Sequence, residues 1–211
     1  MRCAEAFLKA RFPPCEAILI VEVEGTGGEL EGMALEVERA CLEAGASEVR
    51  HARSRQQSEE IWRIRRCLSQ ASYALGPVKV NEDITVPRSR IASAVKGTHE
   101  IARRHGISAL CFGHIGDGNI HVNFMIGRSE DDRRRAQQAV SELFDLTLSL
   151  GGTLSGEHGV GITKLPYLER ELSPDVLRFM SDIKAIFDPN GILNPHKAIL
   201  RFAPRPHCGT F

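Results

Sequence analysis

The stretch that most constrains this chain is Cys111–Phe124, CFGHIGDGNIHVNF. It reads as an apolar strand, a tight polar turn and a second strand. Gly116 and Gly118 are expected to supply the φ > 0 conformations of the turn, and Asp117 and Asn119 tolerate them. His114 and His121 flank the turn, so imidazole, carboxylate and amide groups are concentrated where two strand ends meet. Alternation along the second strand puts His121, Asn123 and Met125 on one face and Ile120, Val122 and Phe124 on the other.

A second polar, glycine-rich stretch follows, SGEHGVG at Ser155–Gly161. Glu157 and His158 are adjacent, so on extended backbone they point in different directions. The residue types suggest that the two stretches converge, with His114, His121 and Glu157 binding a divalent cation and His158 acting beside it. Imidazole nitrogens with one carboxylate suit zinc, and also manganese or iron, and three such ligands leave coordination positions open. Two plainer readings stay open: histidines that bond backbone around a hairpin, and a glycine-rich surface loop with incidental charge. The i, i+4 histidine pair of a zincin helix is absent. Gly156, Gly159 and Gly161 do not form a dinucleotide fingerprint, and no strand–turn–helix context surrounds them.

Taken in order, residues 17–23 (AILIVEV) read as a strand and EGTGGE as a turn. Residues 29–45 read as a helix with Leu30, Met33, Val37, Cys41 and Ala44 at helical spacing. Residues 48–51 suggest a short strand. Ser58 can cap a helix running to about Leu75, where Gly76-Pro77 stops it. Residues 78–86 read as a strand ending at Pro87, and 89–104 as a helix ending near Gly106. After the hairpin, Asp131 and Asp132 favour a helix start through its dipole, and Gly151-Gly152 end it. Ser173-Pro174-Asp175 starts a last helix, with Val176, Met180, Ile183 and Phe187 expected on its buried face. Residues after Lys197 look like a loose tail. The order predicts an α+β fold, a mostly antiparallel sheet covered by helices, with a C-terminal helical segment. With no repeat and no clear linker, one domain is the default.

Composition narrows the function. Lys plus Arg and Asp plus Glu are 27 each, which gives no electrostatic footprint for a nucleic-acid binder. No apolar run approaches the roughly 20 residues of a membrane span, and the N-terminus lacks a signal-type apolar region. The six cysteines are scattered without a C-x-x-C pair, so a reduced cytoplasmic setting is expected. Arg65 shares a helix stripe with Ile61 and Leu68, with Ser69 four residues on. An arginine there can pair bidentately with a carboxylate, but Arg63, Arg65 and Arg66 together read more simply as a solvated face. Lys79 and Asn81 share a strand face. Asn194, in NPHK, reads as a turn residue.

GHIGDGNIH, SGEHGVG and IKAIFDPNGILNPHK closely resemble the C-terminal region of FAD-linked oxidases of the vanillyl-alcohol oxidase type, in particular the group of D-lactate dehydrogenases, glycolate oxidase flavin subunits and D-2-hydroxyglutarate dehydrogenases. The likeness runs from about Ala17 to Lys197. It implies a substrate or cap domain over 1–211, with the FAD pyrophosphate-binding domain supplied elsewhere, so that the chain is a fragment or a separate half. It implies His114, His121 and Glu157 as metal ligands and His158 as the active-site histidine. Arg65, Ser69 and Asn123 fall on substrate contacts, and Asn194 on a position near the flavin. Some members carry a substrate lysine where Asn81 stands here; Lys79 lies two residues earlier on the same face. That departure points away from a dicarboxylate and toward lactate or glycolate. The implied partners are a small 2-hydroxy acid, the FAD-binding half and an electron acceptor, with contact at the inner face of a membrane or oligomerisation compatible. A non-catalytic binding or assembly module and a metal-dependent hydrolase are the competing classes.

Overall fold

The computed structural model describes residues 15–197. They belong to two compact units, Met1–Ala74 and Leu75–Phe211. The expected tail after Lys197 lies outside the described residues.

In the first unit, helix α1 spans Gly27–Glu43 and helix α2 Arg55–Ala71, followed by a 3-10 turn at Ser72–Ala74. Helix α2 begins one turn earlier than Ser58 suggests. Its cap is Ser54, whose hydroxyl accepts from the Gln57 backbone N–H, while the Ser58 N–H already donates to the Ser54 carbonyl at 3.0 Å. The strands expected at 17–23 and 48–51 do not form among the described residues. A strand exists only through a ladder partner, and here Ile18, Leu19 and Val21 are about half exposed instead. Arg65 and Ser69 lie on α2.

The second unit is an antiparallel three-stranded sheet, order β1-β3-β2, with β1 at Val78–Thr85, β2 at Ser108–His114 and β3 at Asn119–Ile126. Helix α3 (Ile91–Arg104) precedes β2, helix α4 (Glu130–Ser149) follows β3, and a short α5 (Leu168–Glu171) leads to α6 (Pro174–Phe187). The predicted α+β class holds. Every residue of the central strand β3 is buried. One face of the sheet, with Ile84, Ile120, Val122 and Phe124, packs against Ala94, Ile101 and Ala102 of α3 and Ala139, Val140, Leu143 and Phe144 of α4. Each side chain of Leu or Phe size buried there contributes ~1.5–3 kcal/mol. Helix α4 starts at a capping box, Ser129 with Asp132, and carries Glu130, Asp131 and Asp132 in its first turn, where the helix dipole favours carboxylates.

The other face is polar, and the register aligns it. Asp83 lies opposite His121, Asn81 opposite Asn123 and Lys79 opposite Met125 on one side, and Phe112 lies opposite His121 on the other. Of the two turn glycines only Gly118 takes a positive φ, +84°; Gly116 does not. Gly118 also has no room for a side chain, since a Cβ would come within 2.0 Å of the Val86 carbonyl oxygen. That turn is tied to β1 by the Val86 N–H on the Gly118 carbonyl, 3.1 Å. Beyond β1, Thr85 and Thr153 form an isolated antiparallel bridge.

Helix α6 departs from expectation on its burial. Leu177 and Ser181 are its buried residues, and Leu177 packs with Leu165 and Leu168. Val176, Ile183 and Phe187, expected inside, are exposed at 43%, 57% and 76%. Periodicity marks an apolar stripe without saying that the same chain covers it. No helix among the described residues is long and apolar enough to cross a membrane.

On β1 a buried carboxyl has one oxygen without a donor among the described residues. Glu82 is 6% exposed and its Oε2 has no hydrogen-bond partner among the described residues. Burial pushes its carboxyl up to about 7; Lys164 opposes the rise and Asp83 adds to it. The folded chain therefore holds a proton that the unfolded chain releases from about pH 4.5 upward, so stability falls as pH rises through the 4.5–7 window and levels off above it. Glu82→Gln stays neutral and removes that slope. Denaturant unfolding at pH 5 and pH 8 should show the variant about 2–3 kcal/mol more stable than wild type at pH 8, with little difference at pH 5; parallel pH profiles would contradict the assignment.

Candidate metal centre

The polar face of the sheet gathers His114, His121, Glu157 and His158. His114 ends β2 and His121 sits on β3, so the hairpin brings the rings to 5.7 Å between centroids, edge to face. The loop after Thr153 carries Glu157 over them. Its Oε1 lies 3.6 Å from His114 Nε2 and its Oε2 3.7 Å from His121 Nε2. The His158 ring stacks on His121 at 5.3 Å and 16°. Glu157 and His158 thus do what neighbours on extended backbone are expected to do: one faces the imidazole pair, the other lies over one ring.

The donor set fits a single divalent cation. One donor atom from each of His114, His121 and Glu157 lies within 4.8 Å of the others. Two ligands at ~2.0–2.1 Å from a tetrahedral zinc stand roughly 3.3 Å apart, close to the two imidazole–carboxylate spacings. His121 is buried, while the His114 and Glu157 side chains are about half exposed. The cluster is therefore closed by protein below and open above, the asymmetry of a site that admits a further ligand. Among the described residues His121 Nδ1 is buried without a hydrogen bond, and it stands 3.8 Å from Asp83 Oδ1, so its second nitrogen faces a carboxylate.

A second set with metal-ligand spacing joins Asp83, His121 and His158. Asp83 is already committed. Its Oδ2 accepts backbone N–H groups from Gly156, Glu157 and His158 at 3.0, 2.8 and 2.8 Å, and its Oδ1 accepts the Asn119 amide at 2.6 Å. Lys164 Nζ donates to the Asp83 carbonyl at 2.6 Å and lies 3.6 Å from Oδ2. Burial works against the charged form, but the His158 N–H, the Asn119 amide, the Glu157 N–H and Lys164 together hold the carboxyl far below its ordinary range. With its lone pairs engaged by donors, Asp83 has little capacity left for a cation. Asp83 and Lys164 are not singled out by their local sequence, and Asn119 reads there only as a turn residue. The available signal was an acidic pair inside the strand VNEDITV, since Asp and Glu are depleted in strands.

Asn81 and Asn123 lie on the same face and bond to each other, Asn81 Nδ2 to Asn123 Oδ1 at 2.9 Å. Lys79 is the next residue of β1 on that face, and burial lowers its ammonium pKa. Asn194 lies in the turn after α6 at φ 46°, and its Oδ1 accepts from Lys197 Nζ. Asp188 shapes that turn by accepting the Ile192 and Leu193 N–H groups. Arg65 and Ser69 belong to the first unit.

Comparison with known proteins gives a consistent picture. The family model described as FAD linked oxidases, C-terminal domain, matches residues 1–198. The chain is 38% identical over 201 residues to the glycolate oxidase subunit GlcD of Bacillus subtilis, covering 94% of the chain and 43% of that protein. It is 33% identical over 189 residues to the D-2-hydroxyglutarate dehydrogenase of Stutzerimonas stutzeri, covering 87% of the chain and 40% of the relative. It is 33% identical over 184 residues to the D-lactate dehydrogenase of Anaerostipes hadrus, covering 86% and 39%. The chain thus spans about two fifths of the length of these relatives.

Burial lowers the His121 pKa, against the pull of Asp83 and Glu157 and with the help of His158 and His114. At a pH where an ordinary imidazole is half charged the ring should therefore be more than half neutral, the form that donates a lone pair to a metal. Titrating the metal-free chain by imidazole-resolved NMR should place the His121 midpoint below the ordinary 6.5; a midpoint at or above that value would mean that its neighbouring carboxylates outweigh burial.

Proposed function

Because the chain belongs to the C-terminal domain family of FAD-linked oxidases, we propose that it is the substrate-side part of a flavin-dependent oxidoreductase that converts a D-2-hydroxy acid of the lactate or glycolate type to the 2-keto acid. The observation that carries the reading is the convergence of His114, His121, Glu157 and His158 on one polar sheet face. The names of the relatives, glycolate oxidase and D-lactate dehydrogenase, support the substrate class. Asn81, where a lysine would favour a second carboxylate, supports a monocarboxylate.

In this proposal His114, His121 and Glu157 hold a divalent cation, zinc by the chemistry of the donors, with manganese or iron also suited. When bound, such a cation would lower the pKa of an oxygen ligand, and FAD, held mainly by the part of the longer relatives that this chain does not match, would supply the hydride acceptor. The residues of this chain do the rest. Asn123, braced by Asn81, and Lys79 line the polar face that orients the acid; Arg65 and Ser69, on the first unit, are of the types that pair with a carboxylate. A ring nitrogen of His158 takes the proton from the 2-hydroxyl as general base. Asn194 contacts the flavin. Electrons leave through a separate acceptor, which admits contact with the inner face of a membrane. The free Cys15, Cys41, Cys67 and Cys111 support a reduced, cytoplasmic setting.

Two measurements test the reading. The purified chain with free FAD, an artificial dye and D-lactate or glycolate should give no turnover, and should gain it when combined with an FAD-binding half from a relative. In that reconstituted enzyme His158→Ala should lower kcat about 10²–10⁴-fold with zinc content unchanged. Full turnover by the variant would remove His158 as the base, and stoichiometric metal without turnover in the reconstituted wild type would favour a non-catalytic module.

A further inference from the structure

The geometry points to Asp83 as the positioning residue that sets the metal-binding loop in register with the histidine hairpin. This inference rests on the reading of His114, His121 and Glu157 as cation ligands. Those ligands come from two separate segments, the hairpin and the loop after Thr153, and something must fix one against the other. Asp83 is in contact with both. It is the register partner of His121 on β1. Its Oδ1 takes the amide of Asn119, two residues before His121, and its Oδ2 takes the successive N–H groups of Gly156, Glu157 and His158. Successive backbone N–H groups converging on one point form an anion-binding nest, and here the anion is the chain's own carboxylate. Bonds to a charged acceptor are about twice as strong as neutral ones, and the carboxylate is fully buried, so solvent does not compete for them.

Two further features serve the same junction. Lys164 Nζ, itself buried, holds the Asp83 carbonyl and offsets the charge of its side chain. Gly156 lets the loop approach. A Cβ there would come within 1.9 Å of Asn119 Nδ2 and 2.5 Å of Thr85 Oγ1, so any side chain lifts the loop from the carboxylate. Asp83 therefore fixes where the Glu157 carboxylate meets the two imidazoles, and where the His158 ring lies, without being a ligand itself.

The test uses the full chain, with Zn2+ affinity measured by competition against a chromophoric chelator, the Co2+ absorption spectrum, and hydrogen exchange of individual amides. Asp83→Asn replaces one acceptor oxygen by a donor and should weaken Zn2+ binding about 10–100-fold, the range for residues that orient ligands. It should also alter the Co2+ spectrum and remove exchange protection at Gly156, Glu157 and His158. Gly156→Ala should do the same without changing any charge, and the double variant should be no worse than the more affected single. Leu143→Ala, in the helix-covered core, lowers stability and should leave Zn2+ affinity unchanged, which separates positioning from general loosening. Wild-type affinity and spectrum in Asp83→Asn would overturn the inference. Should wild type take up no Zn2+, the ligand reading falls and the exchange data decide the positioning claim: loss of protection confined to those three amides upholds it, retention overturns it. If Asp83→Asn does not fold, Gly156→Ala and Asn119→Ala carry the same comparison.

Discussion

The structure of the second unit depends on β3 being buried on both faces with opposite chemistry on each. Ile120, Val122 and Phe124 are held in the helix-covered core, and that packing fixes which way His121 and Asn123 point. A one-residue slip of the strand would drive an imidazole and an amide into the core and three apolar side chains onto the polar face. The apolar layer thus selects which side chains the polar face receives, while Asp83 sets the loop against them. The helices against it carry no candidate ligand, yet they hold the plane from which His121 projects.

Glu82 and Asp83 show how closely spaced carboxyls acquire opposite characters. They are adjacent on β1, both buried, and Lys164 interacts with both. Asp83 receives a side-chain amide and three backbone N–H groups, and stays ionised at any ordinary pH. Glu82 points to the other side of the strand, where its Oε2 meets no donor among the described residues, and burial dominates. The difference is a matter of hydrogen-bond supply. Nearby charge contributes less to it than the loop that wraps one side of the strand and not the other.

Much of this was readable in the residues. GDGN between an apolar and an alternating run gave the hairpin, and alternation gave the correct faces of β3. The histidine, glutamate and glycine stretches gave the cluster. The parts that were not readable share a cause: they depend on a partner distant in sequence. Asp83 looks like an ill-placed strand residue until a loop more than seventy positions later closes on it. Residues 17–23 have the composition of a strand and no ladder partner among the described residues. Gly116 resembles Gly118 in the sequence, yet it is Gly118 that takes the positive φ and meets Val86. Local pattern assigned types and faces; it did not assign the burial of α6, because burial needs a second surface.

The outward side of α6 has a consequence for handling the molecule. Phe179, Ile183, Ile186 and Phe187, continued by Ile192 and Leu193, are each more than half exposed. Their apolar hydration is entropic near room temperature and is strengthened by excluded salts such as sulfate. Warming the protein or adding ammonium sulfate raises the free energy of that wetted hydrocarbon. With equal numbers of acidic and basic side chains there is little net repulsion to oppose colloidal attraction, so salting-out should begin at this helix.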